Sequence, residues 1–302
     1  MDRFRELTTF VAVAEEGAFN AAARRLGTSP PVVTRLVTAL EARLGARLFT
    51  RTTRRVALTE AGARLREDAQ RILGELDEAE VSARGATLAP RGHLRLTAPV
   101  LFGERFLAPV LRDYLDAFPE VTAAVLFVDR NANLVDEGLD VALRIGDLPD
   151  SSLVARRVAS VRPLLVAAPA YLARCGRPKN LAALREHRLV YPSSVSDVPS
   201  WSFVAGGRRQ SLRLAPALTV NSLAAALDAA LAGWGLTRAL SYQVADALAS
   251  GDLVEVLPEF EDRVVPVHLL HAEGRRAAAK IRSFVDFTAE RLRSQEKRLL
   301  LR

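Results

Sequence analysis

Residues 18 to 66 constrain this chain more than any other stretch. They hold ten arginines (Arg24, Arg25, Arg35, Arg43, Arg47, Arg51, Arg54, Arg55, Arg64 and Arg66) against two glutamates (Glu41 and Glu60), a net of +8. The next fourteen residues, 67 to 80, carry six acids and one arginine, a net of −5. The local pattern is a helix, a tight turn, a second helix and a basic hairpin, followed at once by an acidic helix. A compact basic unit of that plan fits a DNA-binding head on a stalk.

Phe4, Leu7, Phe10, Val11 and Ala14 recur at helical spacing and predict a supporting first helix. Asn20 is a candidate N-cap for a second helix through Ala21-Ala22-Ala23, whose small side chains allow another helix to approach closely. Gly27 ends it at little cost, because glycine accepts positive φ. Ser29 is the next candidate N-cap, and Pro30 and Pro31 fit only a first helical turn. Down that third helix Val33, Leu36, Val37, Leu40 and Leu44 share one face, while Pro31, Thr34, Arg35 and Thr38 share the other. A face of hydroxyl, guanidinium and hydroxyl suits the major groove, where arginine pairs bidentately with guanine and threonine meets a thymine methyl or a phosphate. A solvated helix face is the plain alternative; the neighbouring turn and helix favour recognition. Residues 47 to 58 predict two short strands around a basic tip, with Leu48, Val56 and Leu58 inward and Arg51, Arg54 and Arg55 facing phosphates or a minor groove.

Thr59 is a candidate cap for a long helix. Leu65, Ala69, Ile72, Leu76, Ala79 and Ala83 follow in a short heptad seam, which predicts pairing with another helix; packing on its own domain is the alternative. Gly85 to Gly92, with Pro90 inside, reads as a linker. Beyond it strands and helices alternate, so the remainder is α/β with largely parallel sheets. More than two hundred residues imply two lobes, about 91–162 with 267–302 and 163–266, joined by two crossover strands. Ligands of open α/β sheets sit beyond the carboxyl ends of strands. That rule selects Pro99, Val100, Leu101, Phe102, Asp129 and Arg130 in the first lobe. In the second it selects Ser193, Ser194, Trp201, Phe203, Asn221 and Ser222.

The net charge of +7 over 302 residues favours a polyanionic partner only weakly. The start has no signal-peptide core, and no apolar run is long enough to span a bilayer, so a cytoplasmic protein without a membrane partner is expected. Cys175 is the only cysteine, which excludes an intrachain disulfide and a cysteine-based zinc site. His268 and His271 lie three apart on a predicted strand and so on opposite faces, unsuited to one metal. Gly233-Trp234-Gly235 is only part of a dinucleotide fingerprint, and no nucleophile elbow or Walker loop occurs. No catalytic constellation, metal site or cofactor is therefore expected.

The head resembles the winged helix-turn-helix of LysR-type transcriptional regulators. The matching residues are Phe10, Ala14, Gly17, Phe19, Ala21-Ala22-Ala23, Leu26, Ser29, Val33, Arg35, Leu40-Glu41, Leu44-Gly45, Leu48-Phe49, Arg51, Leu58-Thr59 and Ala61-Gly62. Ala18 stands where that family usually has Ser, and Pro30 where it often has a Gln that reads a base or phosphate. The C-terminal part resembles the same family's effector domain through Gly92-His93-Leu94-Arg95-Leu96, Gly138-Leu139-Asp140-Val141-Ala142 and Arg144-Ile145-Gly146, among others. The resemblance implies an α+β multidomain chain: a winged helix-turn-helix (1–58), a linker and dimerisation helix (59–90), and a two-lobed α/β effector domain like a periplasmic binding protein (91–302). It implies a transcription factor, not an enzyme. That factor would bind double-stranded DNA at an imperfect palindrome, form a dimer and then a tetramer, and contact the transcription machinery. Its small-molecule effector would lie between the lobes. Pro99 and Val100 stand where carboxylate-binding members often offer Ser or Thr, so the expected effector is apolar or aromatic, its polar end held by Arg130 or the Asn221-Ser222 turn. An exported solute-binding protein and an α/β enzyme with an added head are the rival readings.

Overall fold

The computed structural model describes residues 2–51, 56–83, 89–148, 152–193, 199–261, 264–272 and 278–301. The chain divides into two compact units, Met1–Ala89 and Pro90–Arg302.

The first unit is built on four helices. Helix α1 (Arg3–Glu16) is capped by Asp2, whose carboxylate accepts from the backbone N–H groups of Phe4 and Arg5 at 3.1 and 3.3 Å. Helix α2 spans Phe19–Arg25, so its N-cap is Ala18 and Asn20 lies inside the first turn, a correction to the expected start. Gly27 makes the turn at φ 59°, a conformation that costs glycine little. Helix α3 (Pro30–Leu44) opens with both prolines in its first turn. Ser29 holds the N-cap position and accepts backbone N–H bonds from Val32 and Val33 at 3.0 and 3.2 Å, but its side chain makes no cap bond. Strands β1 (Phe49–Arg51) and β2 (Val56–Leu58) pair antiparallel, Phe49 opposite Leu58. The Glu41 carboxylate accepts from the N–H groups of Leu48 and Phe49 at 2.7 and 3.2 Å, tying α3 to the wing. Helix α4 spans Glu60–Ala83, and Thr59 Oγ1 accepts from Gly62 N–H at 3.0 Å.

Phe10, Val33, Val37, Leu40, Leu48 and Ala69 are buried in one core. Leu36 is half-buried, and Leu44 is exposed because it lies in the last turn of α3. Leu65 and Leu73 pack against the same core.

The second unit holds two five-stranded sheets. Its elements are, in order, β3 (Gly92–Ala98), α5 (Val100–Phe102), a π turn over Gly103–Leu107, α6 (Ala108–Ala117), β4 (Val121–Phe127), β5 (Val141–Ile145), β6 (Val154–Val161), β7 (Pro163–Ala167), α7 (Pro169–Cys175), β8 (Leu189–Pro192), β9 (Ser200–Ala205), β10 (Arg208–Arg213), β11 (Leu218–Val220), α8 (Leu223–Leu231), β12 (Leu236–Leu240), α9 (Ser241–Ser250), β13 (Val254–Glu255), β14 (Val265–His271), α10 (Ala279–Ser294) and α11 (Glu296–Leu300). The first sheet runs β4-β3-β5-β14-β6 and the second β11-β8-β12-β7-β13. The chain passes between the sheets twice, through Arg162 and through the segment from β13 to β14.

Each sheet is mixed: four of its five strands run one way, and one runs against them, β14 in the first sheet and β7 in the second. In the first, β3 pairs parallel with β4 and β5, whereas β14 pairs antiparallel with β5 and β6. In the second, β8 pairs parallel with β11 and β12, while β7 pairs antiparallel with β12 and β13. The reversed strand in each sheet is the one on which the chain enters from the other sheet. The helix expected over residues 132–137 is a series of turns, in which Asn133 Oδ1 accepts from Val135 N–H at 3.1 Å.

Candidate functional site

On α3 the buried and exposed faces separate cleanly. Val33, Val37 and Leu40 enter the core, and Pro30, Pro31, Thr34, Arg35 and Thr38 line one open groove on the opposite side. Ser29 is exposed at the start of that face. Several arginines of the basic stretch are neutralised: Arg25 by Glu15 and Glu16, Arg43 by Glu6, Arg64 by Glu60. Arg35 meets no carboxylate among the described residues. Its charge is left available at the centre of the groove. Arg54 and Arg55 lie outside the described residues, as does the Arg51 side chain.

The seam on α4 is divided. Ala69 is fully buried in the core of its own unit and Leu65 packs there too, so these two serve the head rather than another helix. Ile72 stays exposed and Leu76 half-buried; the side chains of Ala79 and Ala83 lie outside the described residues.

In the second unit a cavity of about 530 Å³ opens between the two sheets, within the ~300–1,000 Å³ common for small-molecule sites. The carboxyl ends of the parallel strands β3, β4 and β5 form one wall, through Pro99, Asp129, Arg130 and Arg144. Tyr191, Trp201 and Arg238 form the other, and Tyr242, packed on Phe102, lines the cavity as well. Of the expected ligand residues, Pro99, Asp129, Arg130 and Trp201 line it.

The others do different work. Val100 donates its N–H to Asp129 Oδ1 at 3.0 Å and so fixes that carboxylate. Leu101 packs against the cores of both lobes. Phe102 is fully buried against Phe106 and Tyr242, with ring centroids at 5.1 and 5.2 Å. Phe203 is core as well, with the Arg238 guanidinium 4.8 Å from its ring centre. Ser193 Oγ donates to Val220 O at 3.3 Å, and Ser222 caps α8 by accepting from Ala225 N–H at 3.3 Å. Asn221 is exposed beside it, away from the described lining. Ser194 lies outside the described residues.

The polar chemistry of the cavity is organised by arginines. Arg130 makes a two-pronged bond to Glu137, both contacts 2.7 Å. Its hydrogen bonds hold the Glu137 carboxyl down at about 2, with burial opposing and the Asn133 N–H assisting. Arg238 forks onto Glu261 at 3.0 and 2.5 Å. Glu261 is nearly fully enclosed, and burial pushes its carboxyl up to about 7 against the pull of Arg238. Arg144 donates to Asn131 Oδ1 at 2.5 Å and to the Ala132 carbonyl. Burial also pushes the Tyr242 phenol up.

Arg144, Arg209 and Arg238 escaped the sequence reading for different reasons. The strand-end rule that picks out Asp129 also picks out Arg144 when applied to β5. Arg238 stands in the Gly-rich stretch that reads as a failed dinucleotide fingerprint. Arg209 lies on a hairpin whose apolar alternation is too weak to mark as strand. Among the described residues no group of three or more metal-ligating side chains occurs, and no helix is long and apolar enough to cross a membrane.

A basic reading head and a two-lobed ligand-type domain in one chain define a ligand-responsive DNA-binding protein. Residues 4–63 match the model of the bacterial regulatory helix-turn-helix proteins of the lysR family, and residues 88–293 match the LysR substrate-binding domain. An HTH-type transcriptional regulator of Xanthomonas campestris is 38% identical over 94% of this chain and 83% of its own length. An HTH-type transcriptional repressor of Pseudomonas aeruginosa is 33% identical over 96% of this chain and 92% of its own. The solved structure of CrgA, a LysR-type transcriptional regulator from Neisseria meningitidis, superposes with a TM-score of 0.59 at 29% identity, covering 95% of this chain and 98% of that one. The chain belongs to the LysR-type transcriptional regulator family. It is a DNA-binding regulator of transcription with an effector-binding domain, and not an enzyme.

Proposed function

We propose that residues 1–58 form the DNA-reading head, 59–90 the pairing helix and 91–302 the effector domain, with lobes 91–162 plus 267–302 and 163–266. The observation that carries this reading is the exposed face of α3, where Thr34, Arg35 and Thr38 share one groove and Arg35 meets no carboxylate among the described residues. Arg35 and the two threonines read base edges in the major groove, Ser29, Pro30 and Pro31 set the approach of the helix start, and Arg51, Arg54 and Arg55 hold phosphates. Two heads paired through the part of α4 around Ile72 and Leu76 read the halves of an imperfect palindrome, and dimers join into a tetramer in the cytoplasm. A small molecule bound in the interlobe cavity favours one arrangement of the paired heads over another, and so alters the bending of the DNA and its contact with the transcription machinery. Selection of the full-length protein on random-library DNA, followed by sequencing, tests this. Recovery of a split palindrome is expected, and recovery of nothing above non-specific background contradicts it.

A further inference from the structure

We infer that the cavity takes a monocarboxylate with an apolar, ring-sized body, and that Arg144 holds its charge. This rests on the interlobe cavity being the effector site. Among the described residues, four arginines line the cavity: Arg130, Arg144, Arg209 and Arg238. Three of them face carboxylates. Arg130 is forked onto Glu137, Arg238 onto Glu261, and Arg209 stands 3.4 Å from Asp147 on an exposed hairpin. Arg144 alone among them finds only neutral acceptors, the Asn131 side-chain oxygen and the Ala132 carbonyl. No carboxylate of the described residues lies within ion-pair distance of it, and its side chain is half-buried at the carboxyl end of β5. A guanidinium has more donors than these two bonds occupy. Glu137, forked by Arg130, acts on Arg144 only from beyond ion-pair distance, and burial still outweighs it; a partly desolvated guanidinium with no carboxylate bound to it is costly, and an anion entering the cavity offsets that cost.

The rest of the lining limits what the anion can be. Asp129 is the only acid among the described lining residues, and one of its oxygens is pinned by the Val100 N–H. One guanidinium without a directly bound carboxylate, and one carboxylate in the same wall, accept a single negative charge and repel a dianion. The lining also holds the rings of Tyr191, Trp201 and Tyr242, with Pro99 and Pro163 at the strand ends. Those walls are apolar and flat enough for a ring. Arg130, the arginine closest to Asp129 in sequence, is the poorer anchor because its charge is already met by the Glu137 carboxylate at both terminal nitrogens.

The protein has two tryptophans, and Trp234 lies beneath the Arg188 guanidinium at 5.3 Å, not in the cavity lining. Full-length Trp234→Phe therefore reports the cavity through Trp201 alone. Sodium benzoate and benzamide are titrated into it at millimolar concentrations, with Trp201 fluorescence and calorimetry read together. Benzoate is expected to change Trp201 emission saturably with a Kd at least about tenfold below that of benzamide, equivalent to about 1.4 kcal/mol. Arg144→Gln abolishes the difference and Arg144→Lys keeps benzoate preferred. Asn131→Asp leaves the arginine in place but neutralises it with a carboxylate at the same bond, and also abolishes the difference. Equal affinity for the two probes with a Trp201 response overturns the anion anchor while leaving the cavity as the ligand site. Benzoate heat without a Trp201 response overturns the cavity reading itself. No binding of either probe overturns the proposed ligand class.

Discussion

Glu6 has a side chain only 2% exposed, and the Arg43 guanidinium meets it at 2.8 Å. Removing Arg43 leaves a buried carboxylate with its partner gone, a change that costs about 1–3 kcal/mol; Arg43 is 38% exposed, so solvent screening places Arg43→Ala near the lower end. Chemical denaturation of the wild type and the variant should show that loss, and an unchanged midpoint would remove Glu6–Arg43 from the account of the head. Gly62 makes a different demand. A Cβ there would stand 2.1 Å from the Leu48 carbonyl oxygen, so Gly62→Ala should separate α4 from the wing and lower stability more than a surface glycine would. In the cavity wall, Arg130→Gln should return the Glu137 carboxyl from about 2 toward its ordinary range. A folded-state value below the unfolded one means that Glu137 contributes stability above the ordinary carboxylate range and loses it as pH falls toward 2. Carboxyl NMR titration of Glu137 in both proteins checks this, and an unchanged midpoint would show that Arg130 is not the cause.

At the scale of elements, α3 was legible because its two faces differ in chemistry at a 3.6-residue period: Val33, Val37 and Leu40 on one side, Thr34, Arg35 and Thr38 on the other. The caps were less so. Asn20 and Ala18 can both start a short helix, and side-chain preference alone did not see that Phe19 packs edge-on against Phe49 at 5.8 Å, which draws the helix start back to Phe19. On α4 the heptad spacing of Leu65, Ala69, Ile72 and Leu76 was real, but spacing does not say what the face meets. The head core takes Leu65 and Ala69. Leu65→Ala should therefore destabilise the head by roughly 1–2 kcal/mol, less than a fully buried leucine, while leaving the oligomer mass unchanged. Ile72→Asp should do the reverse, lowering the mass seen by light scattering with little change in head stability. An unaltered mass in Ile72→Asp would move the pairing surface off this part of the helix.

For the molecule as a whole, alternation of strands and helices predicted two α/β lobes, and both sheets are present. Their mixed direction was hidden because an apolar strand such as Pro163–Ala167 reads alike whichever way its neighbours run. The cavity was half legible for a related reason. Strand-end residues such as Pro99 and Asp129 announce themselves from one strand, but Arg144, Arg238 and Tyr242 meet only because the chain returns between lobes. Fully buried Phe102 and Phe203 show the converse error, in which an aromatic near a strand end is core rather than ligand wall.

The central claim is that this chain recognises a DNA sequence through the free face of α3. The direct measurement is the ratio of affinities of full-length wild type and Arg35→Ala for a selected duplex and a scrambled one, at one moderate salt concentration. The wild type should prefer its selected site by ~10³-fold or more, as specific regulators do. Arg35→Ala should cut that ratio by about 1–3 kcal/mol, while its affinity for the scrambled duplex falls far less. An unchanged ratio in Arg35→Ala, or a wild type that treats both duplexes alike, would contradict it.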